Sequence, residues 1–306
     1  MDVFEKPLSV PASAFHSDRA IPSGDCLVCQ GPLLASRFAG LKRCVECGFV
    51  TADTALDGRA IAALYSRDYF HGSEYHDYVQ ERESLRHNFE RRLCTLESLT
   101  GGLNGKSLLE IGCAYGFFLE LAAERGLDAH GVDVTDEGVR YACETLGVRA
   151  QQGDYLAWRT APVDLIAMWD TVEHLRRPDL FVAKAAQDLR PNGLLAVTTG
   201  DIASVNARVR GSRWRMIHPP THLHYFSVDT LSRLFERNGL EVVHVSHPGV
   251  SRRLHAILYM LLVQRLRAPR LHALATLAVP NASITLNLYD IMFVVARKRA
   301  PVAMDR

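Results

Sequence analysis

The apolar pattern is clearest between Ser107 and Thr135. Ser107-Leu108-Leu109-Glu110-Ile111 is a short, nearly continuous apolar run and predicts a strand buried on both faces. Gly112-Cys113-Ala114-Tyr115-Gly116 follows, where small residues let the backbone turn tightly and a ligand come close. Phe117 to Arg125 carries apolar residues at helical spacing and stops at Gly126, and Ala129 to Val132 predicts a second strand ending on Asp133. Strand, small-residue turn, helix, strand and acid together make a nucleoside-binding βαβ unit.

The same reading extends along the chain. Glu81 to Leu99 predicts a helix with Leu85, Phe89, Leu93 and Leu96 on one face. A helix over Asp136–Leu146 and a third strand over Val148–Gln152 lead to Gly153-Asp154. Val163 to Trp169 is a fourth buried strand, which delivers Asp170-Thr171-Val172-Glu173-His174 to the carboxyl edge, where open α/β sheets bind ligands. Pro178 opens a helix ending at Leu189-Arg190-Pro191-Asn192-Gly193, before a fifth strand over Leu194–Thr199. Ser227 caps a helix running to Asn238-Gly239, and Val242–Val245 is a sixth strand. Two helix-like segments, 252–266 and 269–279, precede a returning strand over Leu288–Ala296.

Composition narrows the class. Of 306 residues, 48% are hydrophobic and 23% charged, and the net charge is +1, so no global field recruits nucleic acid or an anionic membrane. The N-terminal segment lacks a basic start followed by an apolar core, the run at 255–264 is too short to span a bilayer, and Pro280-Asn281 interrupts Leu271–Tyr289. A cytoplasmic protein without nucleic-acid or membrane partners is expected, acting on a small molecule. Cys26-x-x-Cys29 and Cys44-x-x-Cys47 are separated by 14 residues, the spacing of a zinc ribbon whose four thiolates close a structural, tetrahedral Zn2+ site. Gly31 and Gly48 follow the two knuckles.

Four regions follow: an irregular lead-in (1–24), the ribbon (25–50), an aromatic lid or linker (51–80) and a main domain (81–300) with insertions at about 201–226 and 250–283. The third segment holds Tyr65, Tyr69 and Tyr75, which suit either a ligand lid or packing between domains.

A dinucleotide needs G-x-G-x-x-G, but the third and sixth positions from Gly112 are Ala114 and Phe117. A phosphate-free nucleoside needs only close backbone approach and carboxylates, which Glu110, Gly112 and Asp133 supply. Glu110-Ile111-Gly112-Cys113-Ala114-Tyr115-Gly116-Phe117 resembles the cofactor loop of class I S-adenosylmethionine-dependent methyltransferases, with Ala114 in place of the usual middle glycine. The Leu189–Gly193 turn is similar to that family's L-x-P-G-G turn. The ribbon and the Trp214…His222-Leu223-His224-Tyr225-Phe226-Ser227 pattern resemble zinc-ribbon methyltransferases of sugars and other small metabolites. The resemblance implies a Rossmann-like, seven-stranded α/β sheet with helices on both faces, and S-adenosylmethionine held by Glu110, Gly112, Ala114, Gly116, Asp133, Asp154 and Asp170.

Methyl transfer to oxygen or carbon of a small metabolite, such as a nucleotide-linked sugar or natural-product intermediate, is an in-line displacement and needs a base near neutrality. His174, His222 and His224 are the candidate bases, with Asp170 beside them; the two at i and i+2 would face one side of an extended loop. Tyr65, Tyr69, Tyr75, Trp214 and Tyr225 are candidate acceptor contacts, and Arg208, Arg210, Arg213 and Arg215 candidate phosphate contacts. Asp170-x-x-Glu173-His174 is similar to the E-x-x-E-H cluster that binds a divalent metal in some quinone-precursor O-methyltransferases, with a shorter acid first. Two alternatives stand beside this reading. One is a ribosomal RNA methyltransferase, against which the ribbon offers only Arg37, Lys42 and Arg43 as cations; the other is a cofactor-binding module without turnover.

Overall fold

The computed structural model describes residues 25–53, 78–280 and 282–300. Tyr65, Tyr69 and Tyr75 lie outside them. The main body is one seven-stranded sheet. Its strands are β4 (Ser107–Ile111), β5 (Asp128–Asp133), β6 (Ala150–Gln152), β7 (Val163–Trp169), β8 (Leu189–Gly200), β10 (Leu240–Ser246) and β13 (Ile291–Lys298), in the order β10-β13-β8-β7-β4-β5-β6. Strands β4 to β8 pair in parallel, and β13 runs antiparallel to both β8 and β10.

Period-two alternation sends successive strand residues to two cores. Leu109, Ile111, Ile166, Met168, Leu195 and Val197 face one, against helices α4 (Pro178–Asp188) and α6 (Val228–Arg237). Leu108, Leu165, Ala167, Leu194 and Ala196 face the other, against α1 (Arg82–Thr100) and α2 (Phe117–Glu124). Helix α1 buries Phe89, Leu93 and Leu96 and ends on Gly101 at φ +70°, as its apolar stripe predicts. Asn192, at φ +67°, makes the left-handed turn near the start of β8.

The cysteine ribbon is a second, four-stranded sheet. Strands β1 (Leu33–Ala35), β2 (Leu41–Cys44) and β3 (Val50–Ala52) pair antiparallel, and β9 (His224–Tyr225) completes the sheet from the main body's insertion. Val50 pairs with Tyr225 and Thr51 with His224. Leu27, Val28 and Phe49 share the core that holds Phe226, Leu231 and Phe235, so the ribbon packs on the sheet's α6 side.

Between β10 and β13 the chain makes an excursion: β11 (Val250–Arg253), α7 (Leu254–Leu258), a π-helical turn (Tyr259–Arg265), α8 (Pro269–Ala278) and β12 (Ser283–Leu286), with β11 and β12 paired. Among the described residues no helix is long and apolar enough to cross a membrane.

Candidate active site

The strand order reverses at β4, whose neighbours are β5 and β7, and a cavity of about 950 Å³ opens beyond the carboxyl ends of these strands. Each wall comes from a different element.

The loop after β4 forms the first wall. Gly112 sits at φ +78°, and a Cβ there would meet the Thr171 side chain at 2.7 Å, so only glycine fits. Ala114 adopts φ +45°, the left-handed conformation that glycine takes without penalty. This turn aims the Ala114 N–H at Asp133 Oδ2 (2.8 Å), while Asp133 Oδ1 accepts from Thr135 N (2.8 Å) and Oγ1 (2.6 Å). Burial nevertheless raises the Asp133 carboxyl above its ordinary range. Glu110 is 3% exposed and its Oε2 has no hydrogen-bond partner among the described residues; burial first, then the charge of Asp133, pushes its carboxyl well up, with Arg92 opposing. Such a buried, unpaired acceptor facing a cavity suits a ligand with hydroxyl or ammonium donors. Asp154 lines the cavity and also caps the 3-10 turn Tyr155–Ala157, accepting from Leu156 N at 2.9 Å. Gly116, by contrast, is not in the wall: a Cβ there would lie 2.8 Å from Ala142 Cβ, so it is needed for packing.

The loop after β7 forms the second wall. Asp170 stands at φ +49°, with Thr198 Oγ1 donating to its Oδ1 at 3.1 Å and Arg92 Nη2 3.7 Å from its Oδ2. Arg92 is buried beneath the cavity, with its guanidinium 4.9 Å from the Trp169 ring centre. Glu173 is 1% exposed, and neither carboxylate oxygen has a hydrogen-bond partner among the described residues. Burial and the Asp170 carboxylate push the Glu173 carboxyl up to about 8.

Two histidines complete this wall. His174 Nδ1 donates to the Thr221 carbonyl at 2.8 Å and His222 Nδ1 to the Met216 carbonyl at 2.9 Å. A carbonyl only accepts, so in the neutral rings each Nε2 carries the lone pair. The rings meet edge to face at 4.6 Å, and ligand atoms of Glu173, His174 and His222 all fall within 4.8 Å of one another. Burial lowers His174 to about 4 and His222 further still.

Several sequence expectations need correction. His224 does not join His222. The extended segment begins only at His224, where pairing with β3 turns the ring toward Phe49 (5.6 Å, stacked) and Thr51 Oγ1 (3.0 Å), away from the cavity lining. Trp214 is buried with its Nε1 donating to Asp290 (2.9 Å), and the Tyr225 hydroxyl donates to the His222 carbonyl (2.9 Å); neither lines the cavity. Both are large amphipathic side chains that satisfy their polar ends inside the insertion. Of the four arginines only Arg215 reaches the cavity, and it pairs with Asp290 at 2.9 Å; Arg208, Arg210 and Arg213 are exposed. Arg92 and His218, which also line the cavity, were not singled out. Arg92 lies on an ordinary-looking helix, and His218 carried no distinguishing spacing.

In the ribbon, Cys26 Sγ lies 3.5 Å from Cys47 Sγ, and Cys29 Sγ 3.4 Å from Cys44 Sγ. A tetrahedral ion with Zn–S bonds of about 2.3 Å needs sulfurs about 3.8 Å apart. Backbone N–H groups of Val28 and Gly31 point at Cys26 and Cys29 Sγ, both at 3.4 Å. At the first knuckle the left-handed residue is Gln30 (φ +68°) and not Gly31, where a Cβ would strike the Glu46 side chain at 2.5 Å; Gly48 (φ +78°) serves the second.

Comparison with known proteins agrees with this geometry. Residues 80–245 match a family described as a methyltransferase domain. The ubiquinone biosynthesis O-methyltransferase of Idiomarina loihiensis is 32% identical over 35% of this chain and 48% of that one. The namesake from Azoarcus sp. is 27% identical over 47% of this chain and 68% of that one. The match thus spans only about half the length of the first of these relatives. Among solved structures, the YcgJ protein from Bacillus subtilis covers 70% of this chain and 99% of its own (TM-score 0.50, 17% identity). The magnesium protoporphyrin IX methyltransferase of Synechocystis, solved with bound SAH, covers 77% and 93% (TM-score 0.51, 13% identity). At these identities the two share the fold. The family match spans more than half of the sequence, and with a strand order of the class I type, the chain belongs to the methyltransferase-domain family.

Proposed function

We propose that the enzyme methylates a hydroxyl oxygen of a small metabolite, with the proton taken by the Glu173–His174–His222 cluster. The observation that carries this is the continuity of one cavity from Glu110 and Asp133 to that cluster. S-adenosylmethionine, when bound, supplies the electrophilic methyl group. Glu110, Asp133 and the Gly112–Ala114 backbone bind its polar groups, and Asp154 lies at the adenine end. Glu173, with a proton affinity near neutrality, is better matched as a base than either histidine, whose burial makes it a weak one. His174 and His222 hold Nε2 lone pairs beside it and orient the acceptor. The O-methyltransferase names of the curated relatives favour oxygen over carbon; nucleotide-linked sugars and phenolic natural-product intermediates are the acceptor classes to test.

A second reading has its own observation. Glu173, His174 and His222 converge with both Nδ1 atoms tied to carbonyls, which is how metal-binding imidazoles are usually oriented. A divalent cation there would lower the proton affinity of an acceptor hydroxyl. Independently, the four cysteines fit a structural Zn2+, which would close the ribbon without an open coordination position.

Transfer of labelled methyl into a panel of hydroxyl acceptors tests the proposal. Product labelled at oxygen and a large loss of kcat in Glu173→Gln, with donor affinity kept, are expected. Label at carbon, or an undiminished Glu173→Gln variant, overturns it. Loss of turnover on mild chelation, restored by Mg2+ or Mn2+ while cysteine-bound zinc stays at one equivalent, selects the cation-assisted version.

A further inference from the structure

The excursion between β10 and β13 has a surface unlike the rest. From Ser251 to Tyr289 the sequence contains no aspartate or glutamate and five arginines, Arg252, Arg253, Arg265, Arg267 and Arg270. Nine of the fifteen exposed large apolar side chains among the described residues fall between Met260 and Tyr289. Helix α8 buries none of its ten residues. Leu271, Leu274 and Leu277 are 56%, 65% and 85% exposed and recur at three-residue spacing, so they share one side of α8. Arg270, four residues before Leu274, lies on that same side and, with Arg267, is exposed.

An apolar helix side bordered by cations, with no anion on its own segment, matches a surface that is apolar within and negatively charged at its boundary. Exposed leucines beside arginines suit the headgroup boundary of an anionic membrane, where the apolar side chains leave water and the cations meet lipid phosphates. Charge also argues against a second copy of this chain: a two-fold contact on this side would bring the same arginines face to face. At ten residues α8 is far too short to span a bilayer. The whole-chain charge of +1, from which no membrane partner was expected, conceals this local concentration.

We propose that the excursion is a docking surface for an anionic lipid bilayer, with the Leu271–Leu274–Leu277 side seated among the headgroups and Arg267 and Arg270 on lipid phosphates. Met260 and Leu288 are at once exposed and part of the cavity lining, so docking brings the mouth of the active-site cavity to the membrane surface.

Flotation of the full chain with vesicles tests the proposal, using phosphatidylcholine alone and phosphatidylcholine mixed with phosphatidylglycerol. Binding to the mixed vesicles only, weakened by salt, is expected. Arg267→Gln/Arg270→Gln should lower the partition coefficient about 30-fold, from about fivefold per cation. Leu271→Ser/Leu274→Ser/Leu277→Ser should abolish binding. Both variants alter exposed positions outside the cavity, so unchanged S-adenosylmethionine affinity verifies their folding. No binding to mixed vesicles, or binding that both variants retain, overturns the proposal. So does a dimer in sedimentation that the leucine variant dissolves, which would assign the surface to a second copy. None of these outcomes touches the assignment of the acceptor atom.

Discussion

The main-chain carbonyl of Glu173 accepts the N–H of His224 at 3.1 Å, and that of the adjacent Leu223 at 2.9 Å. His224 in turn pairs with Thr51 of the ribbon. The carboxylate we propose as the base is thus anchored by the strand that joins the ribbon to the main body.

The ribbon should therefore matter to turnover without touching the cavity. Removing zinc under mildly denaturing conditions, or Cys44→Ser, is expected to lower kcat by about tenfold or more, the scale of a misplaced catalytic group. Affinity for S-adenosylmethionine, whose loop is independent of β9, should change little. Calorimetric titration of the donor beside acceptor turnover checks both; equal losses in the two would mean general unfolding.

The pH response of Glu173 follows from its shift. As a base it must be ionised, so kcat should rise through about pH 8, and Glu173→Gln should remove that limb and cost about 10²–10⁴ in rate. Stability goes the other way. Between the ordinary value of 4.5 and about 8 the folded chain keeps a proton that the unfolded chain releases, so the contribution of Glu173 weakens as pH rises through that window. Glu173→Gln should then melt at a higher temperature than the parent at pH 8, and at nearly the same temperature at pH 4. Bound divalent metal would move the rate limb to lower pH.

His222 and His224 should separate cleanly. His222→Ala is expected to lose about 10²-fold in kcat with a modest change in melting temperature. His224→Ala should cost stability, by about 1–3 kcal/mol for the lost stacking and hydrogen bond, and keep most of kcat at low temperature. Denaturant midpoints set beside single-turnover rates distinguish the two; the reverse pattern would return His224 to the active site.

At the cofactor loop, Gly112→Ala meets two obstacles, the collision with Thr171 at 2.7 Å and the φ of +78°. Pairing it with Thr171→Ala should recover the first but leave the conformational cost of about 1–2 kcal/mol. Ala114→Gly, at φ +45°, relieves that cost and loosens the unfolded chain, so its net effect should stay within about 1 kcal/mol. Thermal melts of the three variants, with and without S-adenosylmethionine, give the comparison.

How much of this was legible beforehand depended on range in sequence. The unit from Ser107 to Asp133 and the stripe on α1 are written in local periodicity and stand where their patterns predicted; the returning strand begins at Ile291, three residues after the expected Leu288. His224 was misjudged because its direction is decided by a partner strand 173 residues away at Thr51, which no local pattern encodes. Trp214 and Tyr225 looked like ligand contacts because their polar ends could meet either a substrate or the protein, and Asp290 and the His222 carbonyl meet them. Arg92 went unnoticed because a cation on an amphipathic helix ordinarily faces water, and here Trp169 and Asp170 draw it under the cavity. Glu173 did carry a signal: it follows the apolar run Leu165–Trp169 at the carboxyl edge of the sheet, where its neighbour Val172 is also buried.

The antiparallel β13 has one more consequence. Ser246 near the end of β10 lies opposite Phe293 near the start of β13, so the chain leaves and re-enters the sheet at neighbouring points. A tight hairpin would connect them equally well. Because closing a longer loop costs only about 0.6 kcal/mol per doubling of its length, the stretches between the Ser251 and Ser283 contacts to α1 can change length with little entropic cost to the sheet. The excursion nevertheless shares the cavity with Glu110 and Asp133 and is tied to α1 by buried hydrogen bonds from Asn88 to Ser251, so a graft that exchanges it should keep Ser251 and alter the cavity mouth along with the surface.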